Sequence, residues 1–307
     1  MKKIKLYEQK SLYRDNLRIT GYQFGSGEKS LCIVGSTRGN EIQQLYICSQ
    51  LVKVFKELEE QGKIAKNKSV LIIPCVNSSS LNIEKRFWPT DNTDINRMFP
   101  GYAYGETTQR IAAGLFEKIK DFKYGIQFTS FYMPGNFIPH VRMMKTGYED
   151  VEEAKLFGMP YVLVREPKPY DTTTLNYNWQ VWETDAFSMY TSATDRVDKE
   201  SARTAIEGVL RFAAKKKICK YNVQPGYVSE VIGEAKALKP VKTKRAGIID
   251  CKVAVNQAVR KGDILADVID TYVGEVKYQI TAPKDGIIFF ISNKPIVYED
   301  TVVFKML

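Results

Sequence analysis

Between residue 30 and about residue 217, short apolar runs alternate with longer stretches whose apolar residues recur every three or four positions. Leu31 to Val34, Ser69 to Val76, Tyr124 to Phe128, Tyr161 to Val164 and Ala186 to Tyr190 read as strands. Glu41 to Gln61, Glu106 to Lys120 and Asp198 to Lys217 read as helices, and Asp198 is placed to cap the last of them. An alternation of this kind predicts an α/β domain: a mostly parallel or mixed sheet with helices on both faces. After Lys220 the pattern changes to short strand-like runs broken by Pro-Gly, Lys-Gly-Asp and Lys-Asp-Gly turns, with no long helical stretch. The expected organisation is therefore an α/β domain over 1–220 and a small β-rich domain over 221–307.

Bulk properties narrow the function classes. Of 307 residues, 44% are hydrophobic and 12% aromatic, enough for a packed core and too many for a disordered chain. No run approaches the roughly 18 apolar residues that cross a bilayer. The opening MKKIKLYEQK lacks the apolar segment of a secretory signal, so a cytoplasmic location and no membrane partner are expected. Five cysteines at 32, 48, 75, 219 and 251 include no CxxC pair, which leaves neither a disulfide framework nor a thiolate zinc cage. The net charge of +10 comes from scattered lysines without an aromatic-interleaved basic motif. That argues against nucleic acid and for an anionic ligand or an acidic partner. His140 is the only histidine, so any chemistry needing a histidine pair is excluded.

Two polar stretches stand out. GSTRGNE, 35–41, lies where a strand end feeds a helix and contributes Arg38 and Glu41. RFWPTDNTDINRMFPG, 86–101, carries Arg86, Asp94, Asn96 and Arg97. A guanidinium fork can hold a carboxylate through parallel hydrogen bonds, a neighbouring amide can add a donor, and a second arginine can stabilise an oxyanion. The same residues could equally brace their own loop. A third stretch, Tyr170 to Trp182 with Tyr177 and Trp179, is expected either to cover a pocket, to form an interface or simply to pack.

DINRMFPG resembles the Asp-x-Asn-Arg-x-Phe-Pro-Gly signature of the succinylglutamate desuccinylase/aspartoacylase family of zinc-dependent deacylases, relatives of the zinc carboxypeptidases. Arg86-Phe87 is similar to the family's Arg-Tyr, and IPHVR, 138–142, to its Leu-Pro-His-Val-Arg. GSTRGNE occupies the place of Gly-x-x-His-Gly-Asn/Asp-Glu. The resemblance implies a zinc carboxypeptidase-like fold and a zinc held by His, Glu and His beside a catalytic glutamate. Carried over residue by residue, it puts Arg38 at the first ligand position, keeps Glu41 at the second and puts Thr129 at the third. Gln127 stands where that segment has aspartate, and Tyr190 where the base should be, with Glu183 and Asp185 the nearest carboxylates able to compensate. One carboxylate does not hold a catalytic zinc, and Arg38 would bring a fixed cation that could pair with Glu41 instead. No cofactor is expected unless a partner chain or a rearrangement completes the zinc site. His140 is expected to be structural. On the ligand side the resemblance makes Arg86 the oxyanion stabiliser and Asn96, Arg97 and Arg142 the groups that grip substrate carboxylates.

The β-rich region resembles a biotinyl/lipoyl-type barrel sandwich through Val259 to Ala266 and Ile280 to Ile288. The modifiable position falls on Glu275, which excludes a swinging-arm carrier and leaves a scaffold or an oligomer contact. Three functional readings follow. The first is a pseudoenzyme binding an N-acyl amino acid-like carboxylate, or pairing with an active paralogue or a second copy. The second is a hydrolase of amide or ester bonds using Glu41, Tyr190 and Arg86, or a partner-supplied metal. The third is a structural or interaction subunit.

Overall fold

The computed structural model describes residues 1–12, 15–131, 133–233 and 238–307. It divides into two compact units, Met1–Ser130 with Pro139–Val231, and Phe131–Ile138 with Ile232–Leu307. The division thus falls eleven residues beyond the boundary expected at 220/221, because the chain to Val231 stays with the α/β unit. An eight-residue excursion, 131–138, also leaves the first unit for the second. Its three-residue strand is too short to register as a periodic pattern.

The first unit contains β1 (Lys2–Gln9), β2 (Leu17–Gly25), β3 (Glu28–Ser36), α1 (Ile42–Glu60), β4 (Lys68–Cys75), α2 (Ser78–Leu81) and α3 (Thr107–Ile119). It continues through β5 (Tyr124–Phe128), then β7 (His140–Met144) after the excursion's β6 (Gly135–Phe137), α4 (Val151–Lys155) and β8 (Tyr161–Arg165). α5 (Leu175–Val181), β9 (Asp185–Tyr190), α6 (Lys199–Lys215) and β10 (Glu230–Ile232) complete it. Its nine strands order as β1-β2-β4-β3-β5-β9-β7-β8-β10. β3 runs parallel to β4 and β5, β5 to β9, and β7 to β8. β1–β2, β2–β4 and β7–β9 are antiparallel, so the sheet is mixed. The amino-terminal hairpin β1–β2 has no clean apolar run, since Leu6, Ile19 and Phe24 are isolated core residues among exposed or half-buried neighbours. Sequence periodicity therefore finds the sheet only from β3 onward.

Strand alternation builds the two cores. Leu31 and Ile33 of β3 and Val70 and Ile72 of β4 face α1 and α6, with Ile47, Leu51, Phe55, Val209 and Phe212. Cys32, Val34, Leu71 and Ile73 face the other way, toward α3 and α5, with Ile111, Leu115, Phe116 and Trp179. Each fully buried side chain of this size contributes about 1.5–3 kcal/mol. Helix starts are fixed locally: Asp198 accepts from the Ser201 N–H at 2.9 Å, and the Glu106 N–H donates to Gln109 Oε1 at 3.0 Å.

In the second unit β11 (Lys239–Lys242), β18 (Val302–Met306), β16 (Gly286–Ser292) and β13 (Ala258–Val259) form one antiparallel sheet, to which β6 adds along β16. β15 (Val276–Thr281), β14 (Ile264–Ile269), β12 (Gly247–Cys251) and β17 (Ile296–Val297) form the other. Leu265, Val268, Ile280, Ile288 and Phe304 fill the core. The β14–β15 turn is closed by Asp270, whose N–H donates to the Glu275 carbonyl at 2.8 Å and whose carbonyl accepts from Gly274. Glu275 is exposed at that tip. Among the described residues no helix is long and apolar enough to cross a membrane.

Candidate functional site

Because β3, β4 and β5 are parallel, the segments leaving their carboxyl ends meet: GSTRGNE after β3, the 77–101 loop after β4, and Thr129-Ser130 after β5. GSTRGNE has no slack. A Cβ on Gly39 would lie 2.1 Å from the Ser80 backbone, and the Gly39 N–H donates to the Lys85 carbonyl at 3.0 Å. The turn is thereby clamped to the loop after β4.

Glu41, fully buried, ends this turn and starts α1. Its Oε2 accepts from the Thr37 N–H at 2.8 Å, the Arg38 N–H at 3.0 Å and the Thr37 hydroxyl at 3.1 Å. Its Oε1 accepts from the Ser130 hydroxyl at 2.6 Å and Arg38 Nη1 at 3.1 Å. The same guanidinium, 3% exposed, sends Nε to both oxygens of Asp94, at 3.0 and 3.1 Å. Asp94 also accepts from Arg86 Nη2 at 3.0 Å and, as cap of the 3-10 turn Ile95–Arg97, from the Asn96 N–H at 3.1 Å. Two cations and two anions therefore close into one network, buried except at Arg86, whose side chain is 28% exposed. Burial alone would lower the Arg38 pKa, but Glu41 and Asp94 outweigh it and hold it above its ordinary value. Arg86 is held below its ordinary value, first by burial and then by repulsion from Arg38.

This donor set does not fit zinc. A guanidinium offers only donors and stays protonated, and both oxygens of Glu41 are already engaged. Thr129, at the third ligand position, is buried, with its carbonyl accepting from Gln44 Nε2 at 3.2 Å. Among the described residues no three His, Cys, Asp or Glu side chains stand together as a metal site would require.

The remaining sequence candidates occupy two further places. Asn96 is buried, and its Oδ1 accepts from Gln127 Nε2 at 2.8 Å and the Leu175 N–H at 3.4 Å. Arg97, one-third exposed, donates to the Tyr170 carbonyl and to Asp171 at 3.4 Å, and lies over the Tyr170 ring. Asp171 binds Arg165 as well, at 2.6 Å, and the Lys168 N–H at 3.0 Å. Burial pushes the Asp171 carboxyl up, but the Lys168 N–H and the two arginines more than reverse this and hold it below the usual carboxylate range. Arg142 reaches Tyr190 Oη at 3.2 Å, and the Tyr190 ring stacks on His140 with centroids 4.8 Å apart. Asp185 cannot stand in for Tyr190 as a base. The two begin and end the same strand, about 16 Å apart at 3.3 Å per residue, and Glu183 is farther still. The Tyr170 to Trp182 stretch runs from a 3-10 turn, Pro169–Asp171, into the helix α5, Leu175–Val181. Trp179 is fully buried against Gly125, and its Nε1 donates to the Ile119 carbonyl at 3.1 Å.

Sequence reading missed Ser130, Asp171 and the double role of Asp94. Ser130 directly follows Thr129 and Asp94 lies within DINR, so both were adjacent to recognised residues. Nothing in the sequence around Asp171 marks it as a partner for two arginines.

Residues 27–214 match the succinylglutamate desuccinylase/aspartoacylase catalytic domain. The chain is 22% identical over 300 residues to the N-alpha-acetyl-L-2,4-diaminobutyric acid deacetylase of Halomonas elongata, covering 88% of this chain and 79% of that protein. A succinylglutamate desuccinylase/aspartoacylase from Rhodobacter sphaeroides shares the fold with a TM-score of 0.79 at 19% identity, over 99% of this chain and 95% of the other. The product-bound ectoine utilization protein EutE of Ruegeria pomeroyi does so with a TM-score of 0.78 at 16% identity, over 95% and 89%. With the domain match spanning more than half its length, the chain belongs to the succinylglutamate desuccinylase/aspartoacylase family.

Proposed function

We propose that this chain is a deacylase-fold pseudoenzyme, a carboxylate-binding protein in which an internal ion pair has replaced zinc chemistry. The observation that carries the reading is Arg38, locked between Glu41 and Asp94 at 3.0–3.1 Å where the family resemblance calls for the first metal ligand. The guanidinium supplies positive charge that the buried carboxylates require, but it neither acidifies water nor leaves an open coordination position. Glu41 makes a poor base in its place, because both of its oxygens are already engaged by five internal donors.

Binding is supported by what stays accessible. Arg86 and Arg97 are 28% and 33% exposed at the side chain, and Arg142 is half-buried. All three can add a carboxylate to the partners they already have. The ligand class favoured is an N-acylated amino acid, in keeping with the substrate named for the Halomonas relative.

The test is metal analysis of purified protein, together with hydrolysis and titration assays on N-acetyl amino acids. Binding without turnover, and without stoichiometric zinc, is expected. Stoichiometric zinc accompanied by hydrolysis overturns the reading.

One contact favours a second reading, a metal-free acyl transfer: the 2.6 Å hydrogen bond from Ser130 Oγ to Glu41. It requires Ser130→Ala to abolish a measurable turnover. Turnover that survives the substitution, or none in the unmodified protein, removes it.

A further inference from the structure

We infer that Asn176 is a specificity residue that reads the amide N–H of an N-acylated α-amino acid while Arg142 takes the adjacent carboxylate. The inference rests on the carboxylate-binding reading above and adds the residue that would select within it.

Strand register gives the placement. Gln127 of β5 pairs with Ser188 of β9, and Ser188 pairs with Arg142 of β7, so the three form one polar row across the sheet. α5 covers that row and runs along it. At its start the Leu175 N–H meets Asn96 Oδ1, which also holds Gln127. One turn later Trp179 packs on Gly125, two residues before Gln127. Gln180 Nε2 donates to the carbonyl of Met144, two residues after Arg142, at 3.0 Å. Because β7 runs antiparallel to β9, both contacts lie on the same side of the row. Asn176 precedes Gln180 by four residues and so shares its face of the helix. It therefore lies at the level of Gln127, Ser188 and Arg142, on the β7 side.

At that place the protein's own hydrogen bonding is incomplete. Asn176 is 2% exposed, and neither its Nδ2 nor its Oδ1 has a partner among the described residues. Arg142 Nε is also buried and unpartnered, while its Nη1 is held by Tyr190. Packed interiors rarely leave a whole carboxamide unpaired, and a ligand is one of the few things that explains it. The unmet groups are two kinds of donor, from Arg142 and Asn176 Nδ2, and one acceptor, Asn176 Oδ1. A carboxylate with an amide N–H one carbon away complements this set. An ester of the same shape supplies the carboxylate and lacks the N–H.

Isothermal titration of the full-length protein with N-acetyl-L-aspartate and O-acetyl-L-malate, which differ only in that N–H, tests the assignment. The unmodified protein is expected to prefer the amide by about tenfold or more. Asn176→Leu should erase the preference, whereas Arg142→Met should weaken both probes alike. Asn176→Asp, which keeps the shape and pairs internally with Arg142, should weaken both and serves if the leucine variant does not fold. A preference that persists in Asn176→Leu, or undiminished binding of both probes to Asn176→Asp, overturns the inference. Equal binding of the two probes by the unmodified protein overturns it while leaving the carboxylate-binding reading intact; binding of neither overturns both.

Discussion

Two regions of the same sheet handle buried polarity in opposite ways. At the carboxyl ends of β3, β4 and β5, Arg38, Glu41, Asp94 and Ser130 are held by hydrogen bonds to one another, to Thr37 and to Arg86. Under α5, beside β7 and β8, Asn176, Arg142 Nε, Arg165 Nε and Gln180 Oε1 are buried without partners among the described residues. A saturated network is a structural element, whose members hold each other and whose loss is felt as instability. An unsaturated one is a standing cost to the fold, tolerated where it serves something other than the fold. Among the described residues the Arg38–Glu41–Asp94 ion-pair network itself is internally paired, with Asn40 Oδ1, Gln44 Oε1 and Asn77 Nδ2 unpartnered around it, whereas under α5 an entire carboxamide, Asn176, lacks partners.

The largest effect should come from breaking the saturated side. Arg38→Met leaves Glu41 and Asp94 buried with their main counter-charge gone, and about 3–5 kcal/mol of unfolding free energy should disappear. Urea unfolding measures it; a loss below about 1 kcal/mol would mean that water enters and that the network is not a closed structural unit.

Asp171 sharpens the comparison from the other region, because there the arginines are partly matched. Its folded-state pKa is depressed, so its contribution is fully present above the unfolded value of about 4 and is lost as pH falls through the folded one. Asp171→Asn should cost about 2 kcal/mol at neutral pH. The difference from the unmodified protein should shrink steadily as pH falls below about 4 and through the depressed folded-state value. A difference that stays constant with pH would show that the carboxylate's charge is not what holds Arg97 and Arg165.

How much of this could be read in advance follows from the range of each signal. β3, β4, β5, β8 and β9 and the helices α1, α3 and α6 announce themselves because their periodicity is local and both faces of the sheet are covered. β1 and β2 do not, since at that end of the sheet single apolar residues suffice, and β6 is only three residues long. At the site, the departures from the ligand set that the family resemblance implies, Arg38, Thr129 and Tyr190 at the ligand and base positions in a chain with one histidine, are legible in the sequence. The identity of the replacement was half legible. Arg38 and Glu41 are three residues apart, so their pairing is a local matter, whereas Asp94 is 56 residues from Arg38 and is brought to it only by the parallel β3–β4 pairing. Asn176 was invisible for the same reason: an asparagine becomes noteworthy only when its surroundings fail to satisfy it.

Ser130→Ala tests a single strand of the saturated network. It removes one donor from Glu41 and leaves four in place, so a loss of about 1.5 kcal/mol is expected, at the low end for a hydrogen bond to a charged group. Chemical denaturation of the pair Ser130→Ala and Arg38→Met, with the double variant, separates direct from shared effects. Non-additivity above about 0.5 kcal/mol is expected, because both side chains bond the same Glu41 oxygen.

The smallest effect, and the one that distinguishes the regions most sharply, is the stability of Asn176→Leu. If a buried carboxamide without partners is a cost to the fold, replacing it with an apolar side chain of similar size should leave the unfolding free energy unchanged or raise it by up to about 1 kcal/mol. The same kind of change at Arg38 is expected to be severely destabilising, although both residues are buried and polar. A loss of 2 kcal/mol or more for Asn176→Leu would place its hydrogen bonds inside the folding energetics, supplied by ordered water, and the two regions would then differ only in who provides the partners.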